Sequence, residues 1–175
     1  LESSGGIARV QPGMIYDDLN DRMAPYGHFL PYHVSSSAFC SLGGNVATRA
    51  SGLRSIKYGT VDTSVRHIRM VSPANGIIDT RQGLSADLAG KITALSGRLR
   101  GDHGAVAVLQ SKKGLKTSLG YNLWALTDYE RPEEMLAHLV VGSVGTLGMF
   151  TEIELQLRPV PEEKMMVAAF FDDIA

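Results

Sequence analysis

The sequence predicts an α+β domain, an antiparallel or mixed sheet flanked by helices, and three observations carry that expectation. Residues Met149–Arg158 alternate, with Ile153, Leu155 and Leu157 on one side and Glu152, Glu154, Gln156 and Arg158 on the other. Arg66–Ser72 and Ile77–Asp79 flank Asn75-Gly76, a hairpin turn signal. Apolar residues recur at helical spacing in Leu88, Ile92, Leu95 and Leu99, and again in Met135, Leu136, Leu139 and Val140. Strands joined by hairpins, with helices interspersed irregularly, are the α+β pattern.

Taken in order, Ile7–Gln11 reads as a short strand that ends at Pro12-Gly13. Ile15, Leu19 and Met23 then mark a helix that stops before Pro25 and Gly27. Between Leu30 and Lys57 neither period holds, so this stretch is expected to be mostly loop, with a helical turn after Gly44. In the strand Arg66–Ser72, Ile68 and Met70 share a face. Ser85 is positioned to cap the helix Leu88–Leu99 and Gly101 to stop it. Pro132 suits the first turn of the next helix. After the long strand, Lys164–Phe171 is expected to be the last one.

With 175 residues and 18.8 kDa, the chain is expected to form a single domain over residues 1–175 with a sizeable core. Its formal charge of -1, from 17 basic and 18 acidic residues, argues against nucleic acid as a partner. No run of about 18 apolar residues offers a membrane span. Cys40 is the one cysteine, so an internal disulfide or a multi-cysteine metal site is excluded. The histidines at 28, 33, 67, 103 and 138 lack metal-ligand spacing, and no metal is expected. Leu1 opens the chain without an initiator Met or signal pattern; a piece of a longer protein is expected, with a cytoplasmic location or a peripheral one at the inner membrane face.

Two features depart from an average composition. The 19 glycines cluster, with Gly43, Gly44, Gly52 and Gly59 in one segment and Gly142, Gly145 and Gly148 in another. Such clusters are either ordinary turns or loops that let backbone approach a ligand. From Arg22 to Val61 there is no Asp or Glu, while Arg49, Arg54 and Lys57 lie close to the glycines, which suits an anion. A positive opening formed by Arg49 and Arg54 beside Gly43-Gly44 is therefore expected. His103–Thr127 is also free of carboxylates and holds Lys112, Lys113 and Lys116, which read most simply as a solvated face.

At Pro31–Gly59 the residues resemble a known family. Pro31-Tyr32-His33-Val34-Ser35-Ser36-Ser37, then Cys40-Ser41-Leu42-Gly43-Gly44-Asn45-Val46-Ala47-Thr48-Arg49-Ala50-Ser51-Gly52, then Ser55-Ile56-Lys57-Tyr58-Gly59, resemble the second half of the flavin-binding domain of FAD-linked oxidases. This is the vanillyl-alcohol-oxidase or PCMH-type superfamily, and the likeness is to its glycolate oxidase and D-lactate dehydrogenase branch. Val10–Gly13 with Asp18-Leu19-Asn20, the Gly120-Tyr121-Asn122-Leu123 element and Gly142–Glu152 resemble further family motifs in the same order. Three positions depart from the pattern: Val144 where the family usually has Glu, His33-Val34 where Asp-Pro is common, and Arg49 where Asn is frequent.

The resemblance implies FAD as cofactor and three contact stretches. The first holds Pro31, Ser35, Ser36, Ser41, Leu42, Gly43 and Gly44; the second Thr48, Arg49, Ala50, Ser51 and Gly52; the third Gly145, Thr146, Gly148, Met149 and Phe150. Hydroxyls and glycine N–H groups can meet flavin carbonyls or pyrophosphate oxygens without adding bulk. Tyr121 and Trp124 are open to stacking on the flavin or to core packing, and Cys40 reads as a small buried thiol.

The resemblance also implies an FAD-dependent oxidoreductase that oxidises a small 2-hydroxy acid, such as D-lactate or glycolate, and passes electrons to a separate acceptor. It implies further that a first FAD subdomain and a cap domain lie outside this chain, the latter with most catalytic residues, so none is nominated here. An iron–sulfur region elsewhere in the chain fits the helical insert near 85–103. Thr48–Gly52 is also similar to alkyldihydroxyacetone-phosphate synthase, an FAD transferase, which is one alternative; a divergent module that has lost flavin binding is the other.

Overall fold

The computed structural model describes residues 2–115, 118, 120–163, 165 and 167–170. Its centre is a five-stranded, wholly antiparallel sheet: β1 (Glu2–Ser4), β2 (Ile7–Val10), β4 (Val65–Ser72), β5 (Gly76–Asp79) and β6 (Met149–Gln156), in the spatial order β1-β2-β6-β4-β5. The alternation of β6 makes it the middle strand. Leu155 lies opposite Ala8 and Val65, and Ile153 opposite Val10 and Ile68, so one face becomes a continuous apolar layer. The expected burial of Ile153, Leu155 and Leu157 is met, all three being at most 2% exposed.

The opposite face of the same strand carries charge. Glu154, though only 7% exposed, has Arg9 Nη2 at 3.3 Å, Arg81 Nη1 at 3.4 Å and Arg66 Nε at 3.7 Å. Arg81 also reaches Glu152 and Asp79. A carboxylate can be buried here because several guanidinium groups surround it.

Helices cover the apolar face. In α1 (Tyr16–Met23), Tyr16, Leu19 and Met23 are buried, and the chain then tightens into a 3₁₀ turn at Ala24–Tyr26 that ends on Gly27 at φ 69°. α7 (Pro132–Leu139) packs on β4, with Pro132 in its first turn. α4 (Ala86–Gly101), capped by Ser85 Oγ on Leu88 N–H, packs against α7 and α6 (Ala125–Asp128). Of its expected stripe, Ile92 is buried and Leu88 and Leu99 pack partly buried against the core, and one position departs. Leu95 is exposed, whereas Ser96 is buried and donates to Leu126 O at 2.6 Å. Arg100 adds bonds to the carbonyls of Leu126, Thr127 and Tyr129, so the stripe turns toward the polar end of α6.

Asp102 interrupts the helix, and its side chain caps a second one, α5 (His103–Lys112), which the sequence pattern did not predict. The expected late strand is displaced too. A short β7 at Arg158–Pro159 pairs with β3 (His28–Phe29). Within 164–171, residues 165 and 167–170 form no strand, and Lys164, Met166 and Phe171 lie outside the described residues. The loop expected between Leu30 and Lys57 contains α2 (Leu42–Ala47), which starts before Gly44, and α3 (Ser55–Tyr58). Among the described residues, no helix is long and apolar enough to cross a membrane.

Candidate functional site

Two of the three expected contact stretches converge. Ser41, Gly43 and Gly44 line one mainly apolar groove of about 510 Å³ together with Gly145, Gly148, Met149 and Phe150, and Pro12, Gly13 and Ala47 complete its lining. The convergence is built by main chain. Ser41 Oγ caps α2 by accepting from Gly44 N–H, and α2 is tied to the far loop by Gly142 N–H to Val46 O at 2.9 Å and Val144 N–H to Ala47 O at 3.0 Å. Gly142 and Gly145 take φ of 86° and 78°, and Val144 is forced to 52° between them. Tyr121 on a neighbouring turn is hydrogen-bonded to Thr146 Oγ1 at 2.8 Å, which holds the loop's crest.

The glycines do different things. A Cβ on Gly43 would lie 2.5 Å from Pro12 Cβ, so that position is small because α2 abuts the β2 turn. A Cβ on Gly52 would fall 1.2 Å from His33 O, which is again packing. At Gly13 and Gly145, by contrast, a Cβ would meet nothing within 4 Å, and both residues line the groove. The space beside both is open. Gly43 N–H and Gly44 N–H are already bonded, to Pro12 O and Ser41 Oγ, so neither is a free donor.

The remaining expected residues, Thr146 among them, do not line this groove. Pro31 is buried, while Ser35 and Ser36 are exposed on a run of turns that approaches α2, with Ser36 O accepting from Cys40 N–H. Leu42 is a core residue at 0% exposure. Cys40 is half-buried and receives Asn45 Nδ2 at 3.4 Å. Thr48 is exposed and donates to Gly44 O, and Ala50 and Ser51 are half-buried. None of Thr48–Gly52 lines the groove.

The positive opening beside Gly43-Gly44 is not formed. Arg49, itself at φ 52°, turns its guanidinium inward, 3.4 Å from Asp62 and 3.0 Å from Asn122 Oδ1, with the Trp124 ring 5.1 Å away. Arg54 lies over the Phe29 ring. Neither lines the groove, and the missing carboxylates of 22–61 are in part replaced by Asp62, the first residue beyond that stretch. Of the lysines in the second acid-free stretch, Lys113 pairs with Asp128 at 2.9 Å, Lys112 is exposed, and Lys116 lies outside the described residues. Trp124 donates to Leu109 O and so serves packing.

Pro12, Gly13 and Ala47 were not among the expected contacts. The signal for the first two was the Pro-Gly punctuation, which marks a strand end as well as a rim. Below α2, His138 stacks on Tyr129 with ring centroids 4.2 Å apart, and burial pushes its pKa down to about 4 despite the nearby Asp62 carboxylate.

Comparison with known proteins supplies what geometry alone does not. Residues 1–81 match the family described as FAD binding domain. The chain is 32% identical over 177 residues to D-2-hydroxyglutarate dehydrogenase of Escherichia coli, covering 95% of this chain and 17% of that protein. It is 29% identical to glycolate oxidase subunit GlcD of Bacillus subtilis, over 99% of this chain and 28% of the subunit. It is 26% identical to mitochondrial D-lactate dehydrogenase [cytochrome] of Arabidopsis thaliana, over 94% of this chain and 21% of that protein. Among solved structures, alkyldihydroxyacetonephosphate synthase superposes on 90% of the chain with a TM-score of 0.55 at 23% identity, which establishes likeness of fold. The chain thus spans between about a sixth and about a quarter of the length of these relatives.

Proposed function

From a chain whose residues 1–81 carry the FAD binding domain match, and which is similar along its length to FAD-linked dehydrogenases, we propose that it is the second FAD-binding subdomain of an oxidoreductase. The substrate is a small 2-hydroxy acid. The observation that carries this reading is the single groove into which Gly43-Gly44 and Gly145–Phe150 open, with empty Cβ positions at Gly13 and Gly145.

When bound, FAD would accept a hydride from the substrate's α-carbon. This chain's part is to hold and orient it. The small rims let a planar group lie close to backbone, and Met149 and Phe150 give it an apolar wall. The groove alone is too open to enclose a cofactor of that size. A first subdomain elsewhere in the protein is proposed to form the opposite wall, with the cap domain supplying the residues that handle the substrate. The electron acceptor and an iron–sulfur region belong to the same proposal and lie outside this chain, and a cytoplasmic location is proposed with it.

The test is the full-length protein, purified and scanned for bound flavin, then mixed with D-2-hydroxyglutarate, D-lactate or glycolate and a dye acceptor. Bleaching of the flavin by one of the three supports the reading. Stoichiometric flavin that none of them reduces would refute the substrate class and favour the ether-forming transferase. Protein without flavin would favour a module that has lost it.

A further inference from the structure

The loop from Gly142 to Gly148 brings Gly145 and Gly148 to the groove. Gly142, Val144 and Gly145 all have positive φ, and such a backbone persists only where surrounding contacts fix it. At the loop's entry Gly142 N–H and Val144 N–H are bonded to α2, and at its exit Met149 pairs with Val71 in the sheet. Among the described residues, one hydrogen bond joins the stretch 145–148 to a distant part of the chain: Tyr121 Oη to Thr146 Oγ1, at 2.8 Å. Thr146 Oγ1 donates its own proton to Ser143 O at 2.6 Å, so the tyrosine hydroxyl is the donor in the longer bond. Tyr121 is anchored for this by its neighbour. Asn122 is buried, donates to His138 O at 3.2 Å and accepts from Arg49 at 3.0 Å.

We propose that Tyr121 is a positioning residue for the flavin: by donating to Thr146 it fixes the rim at Gly145 and Gly148 against which the bound cofactor lies. This role rests on the flavin reading and adds to it a residue outside the groove, since neither Tyr121 nor Thr146 lines it. The Thr146 hydroxyl, which the sequence led us to expect at the flavin, then serves the loop itself. A rim without this tie samples other backbone states, and binding has to order it, which lowers affinity without removing a contact.

The test uses the full-length protein, stripped of flavin and titrated with FAD. Tyr121→Phe is expected to raise the Kd for FAD about threefold to tenfold while circular dichroism shows the fold retained. It should also shift the visible absorption of the bound flavin and speed amide hydrogen exchange in 145–148. Thr146→Ser, which keeps both hydroxyl bonds, should match the unaltered protein. Thr146→Val should weaken FAD at least as much as Tyr121→Phe, and the double variant no more than Thr146→Val alone. Unchanged Kd and spectrum in Tyr121→Phe would overturn the proposal even if exchange quickens, because the tie would then be structural only. Weakening by Thr146→Val but not by Tyr121→Phe would do the same, by making that hydroxyl a direct flavin contact. So would full additivity in the double variant, which would place the effect of Tyr121 elsewhere. If the unaltered protein takes up no FAD, the flavin reading falls and this role with it; FAD bound equally by the unaltered protein and Tyr121→Phe removes this role alone.

Discussion

Truncating Leu155 to Ala is the most direct test of how this sheet is held together. Leu155 is 0% exposed on the central strand, with Ala8 opposite on one side and Val65 on the other. Three carbon groups leave the core, worth about 2.4 kcal/mol at about 0.8 kcal/mol per buried methylene. The vacated volume adds to this, because β2 and β4 are hydrogen-bonded on both flanks and cannot close in, and neighbouring Ala8 is too small to fill it. The expected loss is about 3–5 kcal/mol, in the upper part of the range for Leu→Ala core changes. Urea unfolding of both proteins, followed by circular dichroism, measures it as a lower midpoint at constant slope. A loss below about 0.5 kcal/mol would mean that this face is wetted and that the register of β6 is wrong by one residue.

Gly52→Ala should cost at least about 3 kcal/mol in the same assay, since the new methyl collides with His33 O; Gly13→Ala should stay within about 1 kcal/mol yet lower the flavin content of the full-length protein. Val144→Gly is expected to raise stability by about 0.5–1 kcal/mol, because relief of a left-handed β-branched residue outweighs the entropy gained by the unfolded chain. The folded pKa of His138, about 4, lies below the unfolded value near 6.5, so the unfolded state takes up a proton first as pH falls. Stability should therefore be full above about pH 6.5 and decline between there and pH 4 by roughly 2–4 kcal/mol. Urea midpoints at several pH values for the unaltered chain and His138→Gln check this, and equal slopes in the two would refute it. The 175-residue chain alone is expected to fold cooperatively while added FAD leaves its melting temperature nearly unchanged; a large upward shift would show that the open groove suffices.

The parts of the fold legible in the sequence are those fixed by one dominant local pattern. β6 alternates, the hairpin β4–β5 has its Asn-Gly, and α7 has a proline at its start and apolar residues on one face. α5 escaped because its apolar side chains are consecutive, Ala105–Leu109, so no stripe of helical spacing marks it. Ser96 and Glu154 are buried because of partners far away in sequence, Leu126 O and three arginines, which no window of residues contains. The same limit applied to the site. The glycine clusters could be read ahead, but Arg49 was placed near an anion beside them on its charge and on the likeness of Thr48–Gly52 to a cofactor-contact stretch. Its direction depends on Asp62 and Asn122, 13 and 73 residues onward.

The two main-chain bonds from α2 to the loop at Gly142–Val144 make the facing rims of the groove one mechanical piece. Separating the rims would break both bonds. Any clamping must then be a rigid approach of another body toward an edge of fixed width. The shape of that edge also survives changes at exposed positions such as Thr48, Val144 and Met149, whose side chains do not carry the ties. Such positions are free to diverge and retune a bound molecule's surroundings, whereas Gly43 and Gly142, packed against Pro12 and Arg49, are not.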